Sequence, residues 1–120
     1  MRAHRLHDLQ IWLRSITLVK NVYILTKDLP SEEKFGLISQ IRRCAVSIPS
    51  NIAEGAGRNN VNEFIQFLGI AFGSTYELET QLILLQELNF KTENDVQPLL
   101  NELSEIQKMI YSFKIKLKNS

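Results

Sequence analysis

Apolar side chains return every three or four residues over almost the whole of this 120-residue chain, and that spacing belongs to helices. Leu9, Trp12, Ile16, Val19 and Tyr23 form one such stripe, with Ile11, Leu18, Val22 and Leu25 forming a second beside it. Ile38, Ile41, Ala45, Ile48 and Ile52 make a clean seam further on. The longest seam is Val61, Phe64, Leu68, Ala71, Thr75, Leu78, Leu82 and Leu85, flanked by a stripe of Ile65, Phe72, Tyr76 and Ile83. Val96, Leu99, Leu103, Ile106, Ile110, Phe113 and Leu117 keep heptad spacing to the end. Nowhere does the chain alternate with the two-residue period of a half-buried strand.

Proline and glycine punctuate these stripes. Pro30-Ser31 closes the first, Gly55-Ala56-Gly57 the second, and Asn89 to Asp95, with Pro98 beyond, separates the third from the fourth. The pattern predicts helices over about 6–29, 31–54, 61–88 and 95–118 within one domain spanning 1–120. Ser31 suits an N-cap, with Glu32 and Glu33 at the positive end of the dipole. Asn60 with Glu63 resembles a capping box, and Pro98 fits a first turn. Pro49 removes a backbone bond to Ala45 and should bend the second helix. Gly69 and Gly73, one turn apart, would let another helix approach closely. Four long helices joined by short loops give an all-α, antiparallel up-down-up-down four-helix bundle.

A bundle of this kind needs one apolar stripe per helix, yet the first and third helices carry two. The surplus is expected to form an interface between copies: Ile65, Phe72, Tyr76 and Ile83, together with Ile11, Leu18, Val22 and Leu25. The pattern itself does not decide which stripe of each pair faces inward.

No apolar run approaches the ~20 residues of a membrane span, and no apolar segment follows the basic Met1-Arg2-Ala3-His4-Arg5, so neither a membrane anchor nor a secretory signal is expected. Cys44 is the sole cysteine, which excludes an intrachain disulfide and fits a reducing cytoplasm. The formal net charge of +1 hides an asymmetry. Residues 1–27 carry Arg2, Arg5, Arg14, Lys20 and Lys27 against Asp8, whereas residues 59–90 carry Glu63, Glu77, Glu79 and Glu87 and no Lys or Arg. Lys114, Lys116 and Lys118 gather at the C-terminus.

No constellation for catalysis stands out, and the chain reads as non-enzymatic, without cofactor, metal or small-molecule substrate. Gly55-x-Gly57 lacks the preceding strand and third glycine of a dinucleotide site and reads as a helix end followed by a turn. His4, His7 and Asp8 sit at a chain end expected to fray. Cys44 has no histidine near it in sequence, and Glu77 with Glu79, like Glu102 with Glu105, reads as exposed helix charge. One stripe of the second helix differs. Gln40, Arg43, Ser47, Asn51 and Glu54 fall on one face at spacings of three, four, four and three, flanked by Arg42 and followed by Arg58. Amides and a hydroxyl around arginine suit either a buried polar network at a helix or subunit contact or a ligand site. Arg42, Arg43 and Arg58 are the candidate contacts for a nucleic acid or another partner.

The same region carries a resemblance. Phe35-Gly36-Leu37, Gln40, Arg42-Arg43, Val46-Ser47-Ile48-Pro49-Ser50-Asn51-Ile52-Ala53-Glu54-Gly55 and Arg58, then Phe67-Leu68, Ala71-Phe72-Gly73-Ser74 and Glu77-Leu78, resemble the bacterial four-helix-bundle proteins encoded in intervening sequences of 23S ribosomal RNA genes. Accessory proteins of diversity-generating retroelements are related to that family. The likeness runs from about Leu9 to Leu117. It implies a ring-like homopentamer without catalysis that contacts RNA or a ribonucleoprotein partner, with a pure protein-interaction role as the alternative. The retroelement relatives are strongly basic; this chain, at +1, is not.

Overall fold

The computed structural model describes residues 4–33 and 35–120, so Arg2 of the basic N-terminal run lies outside the described residues. Four helices, α1 (Gln10–Thr26), α2 (Leu37–Ala56), α3 (Val61–Glu87) and α4 (Glu93–Lys118), form an all-α bundle with extents of 46 × 23 × 20 Å. Among the described residues there is no strand. The long dimension is close to the ~40 Å that α3 spans at 1.5 Å per residue. α1 packs on α2 and α4, and α3 packs on α2 and α4, so the helices stand at the corners of a square.

The seams of α2 and α4 face inward as expected, and of the two stripes on α3 the longer one supplies the core. Ile41, Ile48, Ile52, Phe64, Leu68, Leu82, Ile106 and Ile110 are fully buried, while Phe113 is only partly so. In α1 the second stripe supplies the core. Ile11, Leu18, Val22 and Leu25 are buried, so they are not available to an interface between copies. Ser15 and Thr26 are buried with them because each hydroxyl donates to a carbonyl of its own helix, Ser15 to Trp12 and Thr26 to Val22.

Five helix ends differ from the sequence expectation. Leu6–Asp8 is a separate 3-10 turn, and extended backbone at Leu9 delays α1 to Gln10; α1 then stops at Thr26. Ser31–Glu33 is likewise a 3-10 turn, so Ser31 does not cap α2. That helix starts after Gly36, and the Glu33 carboxylate accepts from the Leu37 amide at 3.3 Å. α4 starts two residues early, at Glu93, because Thr92 and Asp95 form a reciprocal capping box. Pro98 therefore lies in the second turn, not the first. Finally, α2 runs two residues past the expected Glu54, through Ala56, and Gly57 caps it with φ −78°. Its helical path is continuous across Pro49. Asn60 does cap α3, but Glu63 turns to Arg58, so only half of the anticipated box forms.

Gly55 is buried where α2 and α3 cross. A Cβ there would stand 2.7 Å from Phe64 Cδ1 and 2.9 Å from Phe67 Cβ, so the crossing needs glycine. Gly69 and Gly73 play no such part. Nothing lies within 4 Å of a Cβ at Gly73, and only Lys114 Nζ, at 3.6 Å, approaches one at Gly69. The space these two leave is outside the bundle.

Candidate interaction surface

The three candidate arginines meet different fates. Arg42 is drawn onto α1: its Nε donates to Thr26 Oγ1 at 2.9 Å, a second nitrogen donates to the Tyr23 carbonyl at 3.4 Å, and its guanidinium lies 4.4 Å from the Tyr23 ring centroid. It thus satisfies a carbonyl at the C-terminal end of α1, where cations are favoured. Arg58 sits between Glu54 at 3.5 Å and Glu63 at 3.4 Å, and lies over Phe67. Arg43 is exposed and, among the described residues, makes no ion pair.

The polar stripe of α2 borders α3. Ser47 Oγ donates to the Cys44 carbonyl at 2.6 Å and accepts from the Ser74 hydroxyl at 2.8 Å, and Asn51 Nδ2 donates to the Ser47 carbonyl at 2.8 Å. Cys44 is buried beside them with its thiol directed to the Ser74 carbonyl at 3.2 Å. Burial first, and the nearby Glu77 carboxylate second, push the Cys44 thiol up to about 12, so it is held as an inert thiol. Gln40 and Glu54 stay on the exposed edge. This network is a local seam between two helices.

The histidines and glutamates are also placed. His4 is not frayed: its amide donates to the Ala56 carbonyl at 3.2 Å, and its ring meets Phe64 and Phe113 edge-on at 5.2 and 6.0 Å. His7 packs against Trp12. Among the described residues no group of three or more His, Cys, Asp or Glu is arranged to hold a metal ion. Glu102 is not a free surface charge, since it takes a two-point contact from Arg14 at 2.8 and 3.1 Å and joins α1 to α4. Glu79 accepts from Gln107 on α4 at 3.0 Å.

Two apolar surfaces bear on the expected interface between copies. The anticipated one runs along α3. Tyr76 and Ile83 are exposed on it, while Ile65 and Phe72 are half-buried, Phe72 lying between Tyr76 and Tyr111 of α4. The other is not evident as a surface from the stripes alone. Trp12, Ile16, Val19 and Tyr23 of α1 face Val46, Pro49 and Ala53 of α2 across an open groove of about 540 Å³. Ile16, Tyr23 and Val46 are 44, 42 and 39% exposed. Lys20 lines this groove, and Arg42 and Arg43 line its continuation past Phe35. The signal is present on α2: Val46, Pro49 and Ala53 are spaced by three and four, but their small side chains make a weak stripe beside the isoleucines. No helix among the described residues is long and apolar enough to cross a membrane.

A family described as 23S rRNA-intervening sequence protein matches residues 7–112. Among solved structures, the chain is similar to a protein of unknown function from the S23 ribosomal protein family of Bacteroides thetaiotaomicron VPI-5482. That likeness has 30% identity and a TM-score of 0.80, and covers 87% of this chain and 94% of the other. No curated protein matches the chain.

Proposed function

Since the chain belongs to the 23S rRNA-intervening sequence protein family, we propose that it is a non-enzymatic, homo-oligomeric scaffold of the cytoplasm that contacts RNA or a ribonucleoprotein partner. The observation that carries the assembly is the pair of apolar surfaces, one in the α1–α2 groove and one along α3. An isolated small domain seldom leaves Ile16, Tyr23, Val46, Ile70, Tyr76 and Ile83 all in water. Cyclic closure suits it, because a head-to-tail contact that fails to close makes filaments. Five copies is the number the family resemblance favours.

For RNA the best support is Arg43, which stands exposed and, among the described residues, makes no ion pair. Arg42 and Arg58 are engaged within the fold and serve mainly to position their helices. Light scattering coupled to size exclusion should give a mass several times 13.9 kDa. Binding to a structured RNA, followed by fluorescence anisotropy across a salt series, should weaken as salt rises, and Arg43→Ala should make the salt slope shallower by about one. RNA binding that is absent at low salt would favour the second reading, a pure protein-interaction module. The net charge of +1 is the observation on that side. A wild-type monomer at micromolar concentration would overturn the assembly.

A further inference from the structure

The groove and the outer face of α3 carry opposite charge. Among the described residues the charged ones lining the groove and its continuation are Lys20, Arg42 and Arg43, and none of them is acidic. Lys27 stands exposed on the same side of α1. From Gly73 to Glu87, α3 carries only acidic charge. Its Glu79 is held by Gln107, which leaves Glu77 and Glu87 exposed among Tyr76, Ile83 and Leu84. Two lysines of α4 approach this side of α3: Lys108 borders the hollow with Phe72, Tyr76 and Tyr111 and lies 3.9 Å from Glu105 of its own helix, and Lys114 leans over Gly69. Gly73, with open space above it, keeps the middle of that face low enough for a second helix pair to close on it.

We infer that the occupant of the α1–α2 groove is a second copy of this chain, presenting the Gly73–Glu87 half of its α3. This rests on the oligomeric reading above, adds which surfaces meet, and assigns Arg43 to the subunit contact in place of the RNA contact set out there. Groove against groove would set Lys20 and Arg43 against their own copies, and α3 against α3 would do the same with Glu77 and Glu87; like charges across a contact disfavour both symmetric pairings. Groove against α3 brings basic to acidic and apolar to apolar. The two surfaces lie on different helices, so each copy offers one of each. The contact is therefore head-to-tail, the type that builds rings.

The test is charge reversal followed by restoration, with the mass of the assembly read by light scattering over a dilution series. All four positions are exposed, so folding, checked by circular dichroism, should be unaffected. Lys20→Glu with Arg43→Glu should raise the concentration at which the assembly dissociates by about tenfold or more. Glu77→Lys with Glu87→Lys should do the same. The variant carrying all four reversals should assemble close to the wild type. If either reversed pair assembles as the wild type does, or if the fourfold variant is weaker than both, the pairing of surfaces is wrong while the oligomeric reading stands. A monomeric wild type would remove both.

Discussion

Substituting Gly55 by alanine sets two known quantities against each other. In an unconstrained helix, alanine in place of glycine contributes about 1 kcal/mol. Here the added methyl would meet Phe64 Cδ1 at 2.7 Å and Phe67 Cβ at 2.9 Å, both inside ordinary van der Waals contact, with the Phe64 carbonyl at 3.3 Å. The Phe64 ring is fully buried against His4 and Phe113, so it has little room to swing away. Phe67 Cβ is attached directly to the α3 backbone and moves only with the helix. Relief therefore comes from separating α2 and α3, the most extensive helix contact in the bundle. Overpacking of this kind costs about 1–3 kcal/mol, and the upper part of that range applies because neither neighbour can yield. The net expectation is a loss of about 1–2 kcal/mol, or a melting temperature lower by roughly 4–8 °C for a domain of this size. Thermal unfolding followed by circular dichroism at fixed protein concentration measures it, the concentration being held because assembly shifts the midpoint. Gly57→Ala is the matched control. Its Cβ would come no closer than 3.5 Å to anything, and its φ of −78° suits any residue, so it should be neutral or slightly stabilising. If Gly55→Ala melts at or above the wild-type temperature, close approach of α2 to α3 is not what glycine provides there.

Two further outcomes follow from buried polar groups. Gln81 is buried with its Oε1 lacking a hydrogen-bond partner among the described residues, so Gln81→Met, which keeps the shape and removes the orphan acceptor, should raise the urea midpoint by the equivalent of about 1 kcal/mol; a lowered midpoint would show that Gln81 is satisfied in solution. Cys44 keeps its proton in the folded chain well beyond the alkaline range in which an unfolded thiol, near 8.5, gives it up. The stability this contributes is complete below the unfolded value and is lost as pH rises from there toward the folded one. Urea midpoints should therefore fall more steeply from about pH 8 to about pH 11 for the wild type than for Cys44→Ala, and native Cys44 should alkylate far more slowly than the unfolded chain; equal pH slopes with rapid native alkylation would refute the role given to burial.

The seams of α2 and α4 were legible in the sequence because each lies opposite a plainly polar face, whereas α3, like α1, carries two apolar stripes between which the pattern does not choose. For α1 the reason lies in a few residues. Its two stripes hold similar numbers of apolar groups, and the stripe that became core contains Ser15 and Thr26. Both count as polar in a pattern, yet each satisfies its hydroxyl on a carbonyl of its own helix and so enters the core at little cost. Trp12 and Tyr23 count as strongly apolar, yet each has a polar end that tolerates a half-exposed position. The arginines could be named as candidates from sequence, but their sorting could not. Arg42 and Arg43 are adjacent in the chain, and only the direction in which each leaves α2 decides that one grips α1 and the other reaches solvent. The misplaced start of α4 has a simpler origin: Thr92 with Asp95 is a capping box built with the shorter acid, which the usual Ser/Thr-x-x-Glu signature overlooks.

His4 joins parts of the bundle that the helix pattern treats separately. Its amide closes on the last residue of α2, and its ring lies against one aromatic of α3 and one of α4. At this pole three helices are fastened by a residue that belongs to none of them. Peeling the opening segment away would bare Phe64, the largest fully buried side chain in the protein. Local opening at this end is thereby coupled to loss of the core, and amides near Ala56 and Phe64 should exchange with solvent at rates set by the stability of the whole bundle, not by the looseness ordinarily found where a chain begins.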